Sequence, residues 1–268
     1  EVITDPIAQI PGVARLQTRV VADVTLDIPN LVETATARLV SLPDRGSSSV
    51  NGLRLRSGRL PSPDRSDEAV ASEAFFEANE LVLGTQIGAV INGKRELLRI
   101  VGTGLSPEFT YSVGPGQLFP DDRRFGVLWM RRSALGPAFD MDGAFNDVVL
   151  QIARNASSAA VIERLDAVLD PYGGIGALAR KDQVSAFFID NELRQLATFG
   201  LMVPLAFLFV SALLLNVVVG RIVASQRAQI AGLKALGYHD HEIGLHYAKL
   251  VAIVLLTGSA LGIGLAAW

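Results

Sequence analysis

Between Arg194 and Arg221 the chain carries no charged residue. Within that interval the run from Leu196 to Gly220, LATFGLMVPLAFLFVSALLLNVVVG, would reach about 38 Å as a helix, against about 30 Å for the hydrocarbon core of a bilayer. A helix buried in a soluble core seldom runs so far without a polar face, so the stretch reads as a membrane span. Pro204 and Asn216 are compatible with it, because neighbouring helices satisfy a carbonyl freed by proline and a lone Asn serves as an interhelical hydrogen-bonding group. A second uncharged stretch, LVAIVLLTGSALGIGLAAW, follows Lys249 and reads as a second span, 248–268. Its Gly258, Gly262 and Ala266 recur every four residues, a spacing that admits a close helix neighbour, although glycine is also simply common in membrane helices.

Fewer than thirty residues separate the two runs, which predicts a hairpin with its loop on one side of the membrane and residues 1 to about 190 on the other. The apolar surplus behind the mean hydropathy of +0.35 is thus C-terminal. Up to Gln195 there are 20 basic and 25 acidic residues, net −5, and beyond it four basic and two acidic. That mild acidity gives no footprint for nucleic acid. Arg221, Arg227, Lys234 and Lys249 lie in or beside the loop, and Arg180, Lys181 and Arg194 flank the first span on its other side, so the positive-inside rule favours a cytoplasmic loop only slightly. The chain has no cysteine, which excludes disulfides, thiolate metal sites and a cysteine nucleophile without choosing a compartment. It opens at Glu1 without Met and stops at Trp268 inside an apolar run, and we expect it to be truncated at both ends.

The loop has a pattern of its own. Ile222, Val223, Ile230, Leu233 and Leu236 fall on one side of a helical projection, with Arg227 and Lys234 at its edge and alanines opposite. This predicts that the first span continues into water as a helical stalk. Gly237 is placed to end that stalk, and Asp240 to cap a short crosswise helix through His246 that leads into the next span.

The stretch RIVASQRAQIAGLKALGYHDHEIGLHYAKL resembles the segment of MacB/FtsX-type permeases of ABC transporters that reads R-x-x-E-I-G-x-L-[KR]-A-L-G. Ile230 and Leu233-Lys234-Ala235-Leu236-Gly237 stand in register, and Gln229 replaces the family's usual Glu. The resemblance implies a cytoplasmic elbow that touches a partner ATPase. It places the coupling surface on Arg227, Ile230, Leu233, Lys234, Leu236, Gly237, Tyr238, His239, Asp240 and Glu242. It also implies an inner-membrane location, a missing span before residue 1, a dimer of permease units or halves, and a periplasmic adaptor as a further partner.

Residues 1–190 read as α+β. Thr4-Asp5-Pro6 starts a short helix. Val20 to Ile28 alternates as a strand, Ala35 to Leu42 is another, and Asp44 to Ser49 turns the chain. Glu68 to Ala71 passes into a helix capped by Ser72, and Asn92-Gly93 joins strands 85–90 and 95–101 as a hairpin of type I′. Ser106 to Phe145, rich in Gly, Pro and aromatics, reads as an inserted β-rich subdomain. Its Phe109, Tyr111, Phe119, Phe125 and Trp129 make either a small core or an exposed groove. A strand from Asp147 to Ala153, a capped helix from Ser157 to Leu169 and a strand from Ile175 to Ala179 complete a porter-like strand-helix-strand half, and Asp182 opens the helix that enters the membrane. Gly58-Arg59-Leu60-Pro61, Ser72-Glu73-Ala74 and Gly84-Thr85-Gln86-Ile87 resemble the G-R-x-P, S-E-x-x-A and G-D-x-I positions of the MacB-like periplasmic core domain. The expected organisation is therefore a periplasmic domain, 1–190, and a membrane segment, 191–268, in which the span 196–220 and the last span bracket an elbow at 221–246.

No G-x-x-x-x-G-K-[ST] is present, so ATP must be handled by another chain, and we expect neither cofactor, metal nor catalytic residue in this one. His241 and His246 stand one residue too far apart for H-E-x-x-H, which turns them about 140° away from each other on a helix. The aspartates 121, 122, 140 and 142 have no histidine beside them, and Ser157 of Asn155-Ala156-Ser157 is better explained as a helix cap than as part of a glycosylation site. The expected role is that of a permease subunit coupling ATP hydrolysis elsewhere to movement of its outer domain, for export or extraction of a lipid, lipoprotein, peptide or drug. A membrane-anchored sensor would continue into a heptad coil instead of a second span, a membrane hydrolase would need site chemistry that is missing, and an FtsX-like regulator of a cell-wall enzyme fits the large outer domain less well.

Overall fold

The computed structural model describes residues 2–29, 31–46 and 48–268, so the turn expected at 44–49 lies in part, at Ser47, outside the described residues. The chain divides into two compact units, one ending at Leu193 and the other running from Arg194 to Trp268.

The first unit begins with α1 (Thr4–Ala8) and is organised on seven strands with the neighbour order β4-β7-β5-β8-β3-β2-β6. These are β2 (Val21–Asp27), β3 (Ala35–Leu42), β4 (Arg54–Gly58), β5 (Glu68–Ser72), β6 (Gln86–Ile91), β7 (Lys94–Leu105) and β8 (Phe125–Arg131). The twelve-residue β7 is long enough to serve two neighbourhoods. Its first half pairs antiparallel with β6 from Ile91↔Lys94 to Gln86↔Arg99, and its second half pairs with β5 and β4, so the sheet curls back on itself. Asn92 and Gly93 join β6 to β7 with φ of 46° and 78°, the two positive values that a type I′ turn requires.

One face of the sheet, with Ala35, Ala37 and Leu39 of β3, Ala69 and Ala71 of β5 and Leu128 and Met130 of β8, carries α2 (Glu73–Ala78) and α3 (Arg132–Ala138). Phe75 and Leu135 are wholly buried there. Gly126 makes the room: a β-carbon on it would lie 2.5 Å from the Phe75 ring. The opposite face, with Val40, Leu42, Val70, Val127 and Trp129, is covered by Leu53 and Phe109. Ser72, expected to cap α2, instead accepts the Val127 N–H at 3.2 Å and so ties β5 to β8.

The stretch 106–145 is not an insertion. Phe125–Arg131 is buried throughout and lies between β5 and β3 in the centre of the main sheet. FGVLWMR is apolar on both sides of the strand, the mark of a strand covered on both faces, and the Gly- and Pro-rich residues before it, 106–124, contain no helix or strand.

A two-stranded sheet stands beside the first, β1 (Val13–Arg19) antiparallel to β9 (Asp147–Ile152). It buries Ile7 of α1 and Ile10 just after it against Val161 and Leu165 of α4 (Ser158–Leu169), whose Ser157 caps the Ala160 N–H. No strand forms at 175–179: Gly173 before it and Gly176 within it have φ of 81° and 99°, which extended pairing does not tolerate. Arg19 links this sheet to the rest. Its guanidinium, 6% exposed, reaches Glu108 at 2.7 and 2.9 Å and Asp147 at 2.7 Å, and Asn51 adds a third donor to Glu108 at 2.8 Å. Burial pushes the Glu108 carboxyl up, but these donors more than offset it and hold it below the usual carboxylate range.

The second unit is helical. The helix α5 (Val184–Ser225) crosses from the first unit into it, and α6 (Arg227–Ala235) and α7 (Asp240–Ala267) follow. Both α5 and α7 are long and apolar enough to cross a membrane, and neither buries any of its apolar window within the chain. The fold is therefore a mixed α/β unit followed by two such helices.

Candidate functional site

The forty-two residues of α5 extend about 63 Å and continue through Pro204. The helix then stops earlier than its apolar pattern predicts. Ser225 turns its hydroxyl back onto the Ile222 carbonyl at 2.8 Å, a bond that bends helices, and Gln226 leaves helical geometry at φ −101°, ψ 16°. The expected continuous stalk is thus α5, a break at Gln226, and the separate nine-residue α6.

Gly237 does end α6. At φ +94° it sits in the left-handed region, the Tyr238 N–H returns to the Leu233 carbonyl at 3.2 Å, and the Gly237 N–H to that of Lys234 at 3.1 Å. These are the two bonds of a Schellman close, which satisfies carbonyls that the helix end leaves without partners. His239, extended at φ −81°, ψ 154°, precedes α7, and Glu242 reaches back to its N–H at 2.9 Å. The N-cap is therefore His239, with Asp240 the first helical residue, a correction to the expected Asp240 cap. The short crosswise helix is absent as well. Asp240–Ala267 is one helix, since His246-Tyr247-Ala248-Lys249 contains no glycine, proline or capping residue to interrupt it.

The elbow is pinned at both ends. Tyr247 donates its hydroxyl to Gln226 Oε1 at 2.5 Å across the break, and Lys234 meets Asp240 at 2.5 Å across the turn. The second pair is exposed on both sides, where water screens it, so it sets direction more than stability. Ile222, Val223, Gln226, Ile230, Ile243 and Tyr247 are half-buried. Of the residues expected to form the coupling surface, Ile230 is thereby turned partly inward. Leu233, Leu236 and Tyr238 stay exposed at 39, 79 and 53%, beside Arg227, Lys234, His239, Asp240 and Glu242. The His239 and His241 rings stack at 5.7 Å, and His246 packs edge-on against Tyr247. The pairing of Gln226 with Tyr247 was not legible. A polar residue in a run of helix formers gives no signal until its partner on another helix is known.

The aromatics of 106–145 do not line one groove. Phe125 and Trp129 are buried, Phe109 packs edge-on against Trp129 at 6.1 Å, Tyr111 stacks on Phe188 at 5.9 Å, and Phe119 is 73% exposed.

Residues 201–268 match the FtsX-like permease C-terminal family, a span that takes in α5 from Leu201, all of α6 and all of α7. Among solved structures, the extracellular domain of the noncanonic ABC-type transporter YknZ from Gram-positive bacteria aligns at 15% identity and a TM-score of 0.40, covering 65% of this chain and 83% of that one. The periplasmic region of MacB from Actinobacillus actinomycetemcomitans aligns at 15% identity and a TM-score of 0.37, covering 61% and 71%. No curated protein matches the chain by sequence.

Proposed function

We propose, on the premise that this chain is a MacB/FtsX-type ABC permease component of the inner membrane with a periplasmic segment, that the elbow from Arg227 to Glu242 is the cytoplasmic seat of a separate ATPase subunit. Closure of that ATPase on ATP displaces α6, and α5 carries the displacement to the outer unit; a helix bends little over such lengths and suits the task. The cargo is a lipid, lipoprotein, peptide or drug already outside the inner membrane, handed on to a periplasmic adaptor by a dimer of permease units or halves. The chain itself performs no catalysis. The observation that carries this reading is the apolar group of Leu233, Leu236 and Tyr238, exposed among charged residues at the end of α6, a helix tied to α7 at both its ends. An apolar anchor ringed by polar groups is the usual core of a protein interface.

Replacing Leu233 or Gly237 by Asp puts a carboxylate into that contact, and Gly237→Asp also strains the left-handed turn. Either is expected to weaken copurification of the cognate ATPase by about 30-fold, which corresponds to about 2 kcal/mol, and to leave ATP hydrolysis uncoupled from export. Unchanged affinity and unchanged export in both variants would remove the elbow from the mechanism.

A further inference from the structure

Among the described residues, both side-chain hydrogen bonds that α5 makes beyond its own helix end on one residue, Tyr111. The Tyr111 N–H donates to Ser185 Oγ at 3.2 Å, its hydroxyl donates to Glu192, and its ring stacks on Phe188 with 25° between the planes. These three contacts occupy the first turns of the helix, and Ser185 is only 4% exposed. Three residues earlier, Glu108 is clamped by Arg19 of β1 and by Asn51. Between them Phe109 rests against Trp129 of the central strand, and Ser106 donates to the Asn51 carbonyl at 3.1 Å.

The segment 106–112, SPEFTYS, thus touches α5, the main sheet and the β1–β9 sheet within seven residues. It contains a proline and no glycine; Gly104 before it is held in β7, and Gly114 and Gly116 come after it, so slack lies downstream of the joint and not inside it. A hydrogen bond weakens steeply with misalignment, so a shift of Ser185 by about 1 Å either breaks the Tyr111 contact or draws the segment with it. Both ends hold a carboxylate, but Glu108 accepts three side-chain bonds, two of them from the Arg19 guanidinium, against one at Glu192, so the Glu108 end is the stronger. Motion of α5 is therefore passed toward Arg19 until the Tyr111 end gives way.

We propose that residues 106–112 are the joint through which α5 acts on the outer unit, with Tyr111 the positioning residue on the helix side and Glu108 the positioning residue on the side of the β1–β9 sheet. This deepens the reading above, resting on it for the source of the motion, and identifies where that motion enters the outer unit.

The test is amide hydrogen exchange of the full chain in lipid nanodiscs, without any ATPase. Glu108→Gln, at the sheet end, is expected to raise exchange in 184–192 by about three- to tenfold, and Tyr111→Phe, which removes only a hydroxyl, to do the same in 13–19 and 147–152. Arg124→Gln, which breaks a surface pair with Asp121 and Glu33, serves as the control and should move neither. Exchange altered only within 106–112, or altered equally by the control, would overturn the joint. If Glu108→Gln raised exchange throughout the chain, Tyr111→Phe would decide alone, with the same two outcomes. Since the ATPase is absent, a negative result removes the joint and leaves docking at the elbow standing, while failure of the Leu233→Asp experiment leaves the joint standing.

Discussion

Truncating Phe75 to alanine is expected to cost about 3–5 kcal/mol of stability in the first unit. The ring is wholly buried and lies on Gly126, where even a β-carbon would approach to 2.5 Å, so the sheet is shaped around it. The floor of the resulting cavity is β8, held by β5 on one side and β3 on the other, and backbone paired on both edges relaxes little into a void. Chemical denaturation followed by tryptophan fluorescence reads this directly. Trp129, 3% exposed, is the tryptophan of the first unit and Trp268 lies in the second, so a change that follows unfolding of the first unit reports Trp129 in the sheet. A loss under about 1 kcal/mol would mean that α2 does not pack on β8 as described.

The second large effect is at Arg19. Arg19→Met keeps the length of the stem but leaves Glu108, with its side chain 17% exposed, with Asn51 as its remaining side-chain hydrogen-bond donor, and is expected to destabilise the chain by about 3 kcal/mol. Adding Glu108→Leu removes the stranded charge and should restore part of the loss, because a buried pair costs most when one partner is taken alone. The dependence on pH carries a sign. Glu108 is held below its usual range in the folded chain, so the pair's contribution is complete above about pH 4.3, where an unfolded glutamate is already ionised, and is lost as pH falls through the depressed value. Arg19→Met should flatten that acid step. A single variant as stable as the parent, with the acid step intact, would show that Arg19 does not hold the β1–β9 sheet to the 106–112 segment.

What could be read ahead of the structure follows the range of the interaction. The apolar runs rest on an uninterrupted local property, absence of charge over nineteen residues or more, and α5 contains the first and α7 all but the last residue of the second. Asn92-Gly93 announced its hairpin because positive φ at two successive residues is a local demand. The strand β4 gave no such sign: RLRSG is exposed at every position and is a strand only because β7 runs beside it. The same holds for β1, whose VARLQTR is half-exposed and finds its partner in β9, more than a hundred residues on. Phe125–Arg131 was hidden by its neighbours, since a Gly- and Pro-rich setting suggested an insertion while the strand itself is a run of core residues. In the elbow, Gly237 was legible as a stop because glycine there answers a backbone requirement. The break at Gln226 was not, because it rests on Ser225 bending the helix and on Tyr247 arriving from α7. The Arg19–Glu108–Asp147 cluster draws on residues 89 and 128 positions away, beyond any local pattern.

Everything functional here depends on the hairpin placing α6 and the outer unit on opposite sides of one bilayer. The chain has no cysteine, so Leu118→Cys in the outer unit and Leu236→Cys in the elbow, at positions 84% and 79% exposed, each give a single site for a membrane-impermeant maleimide. In spheroplasts Leu118→Cys should label at once, and Leu236→Cys only after the membrane is opened. Labelling of both from the outside before permeabilisation would contradict the account.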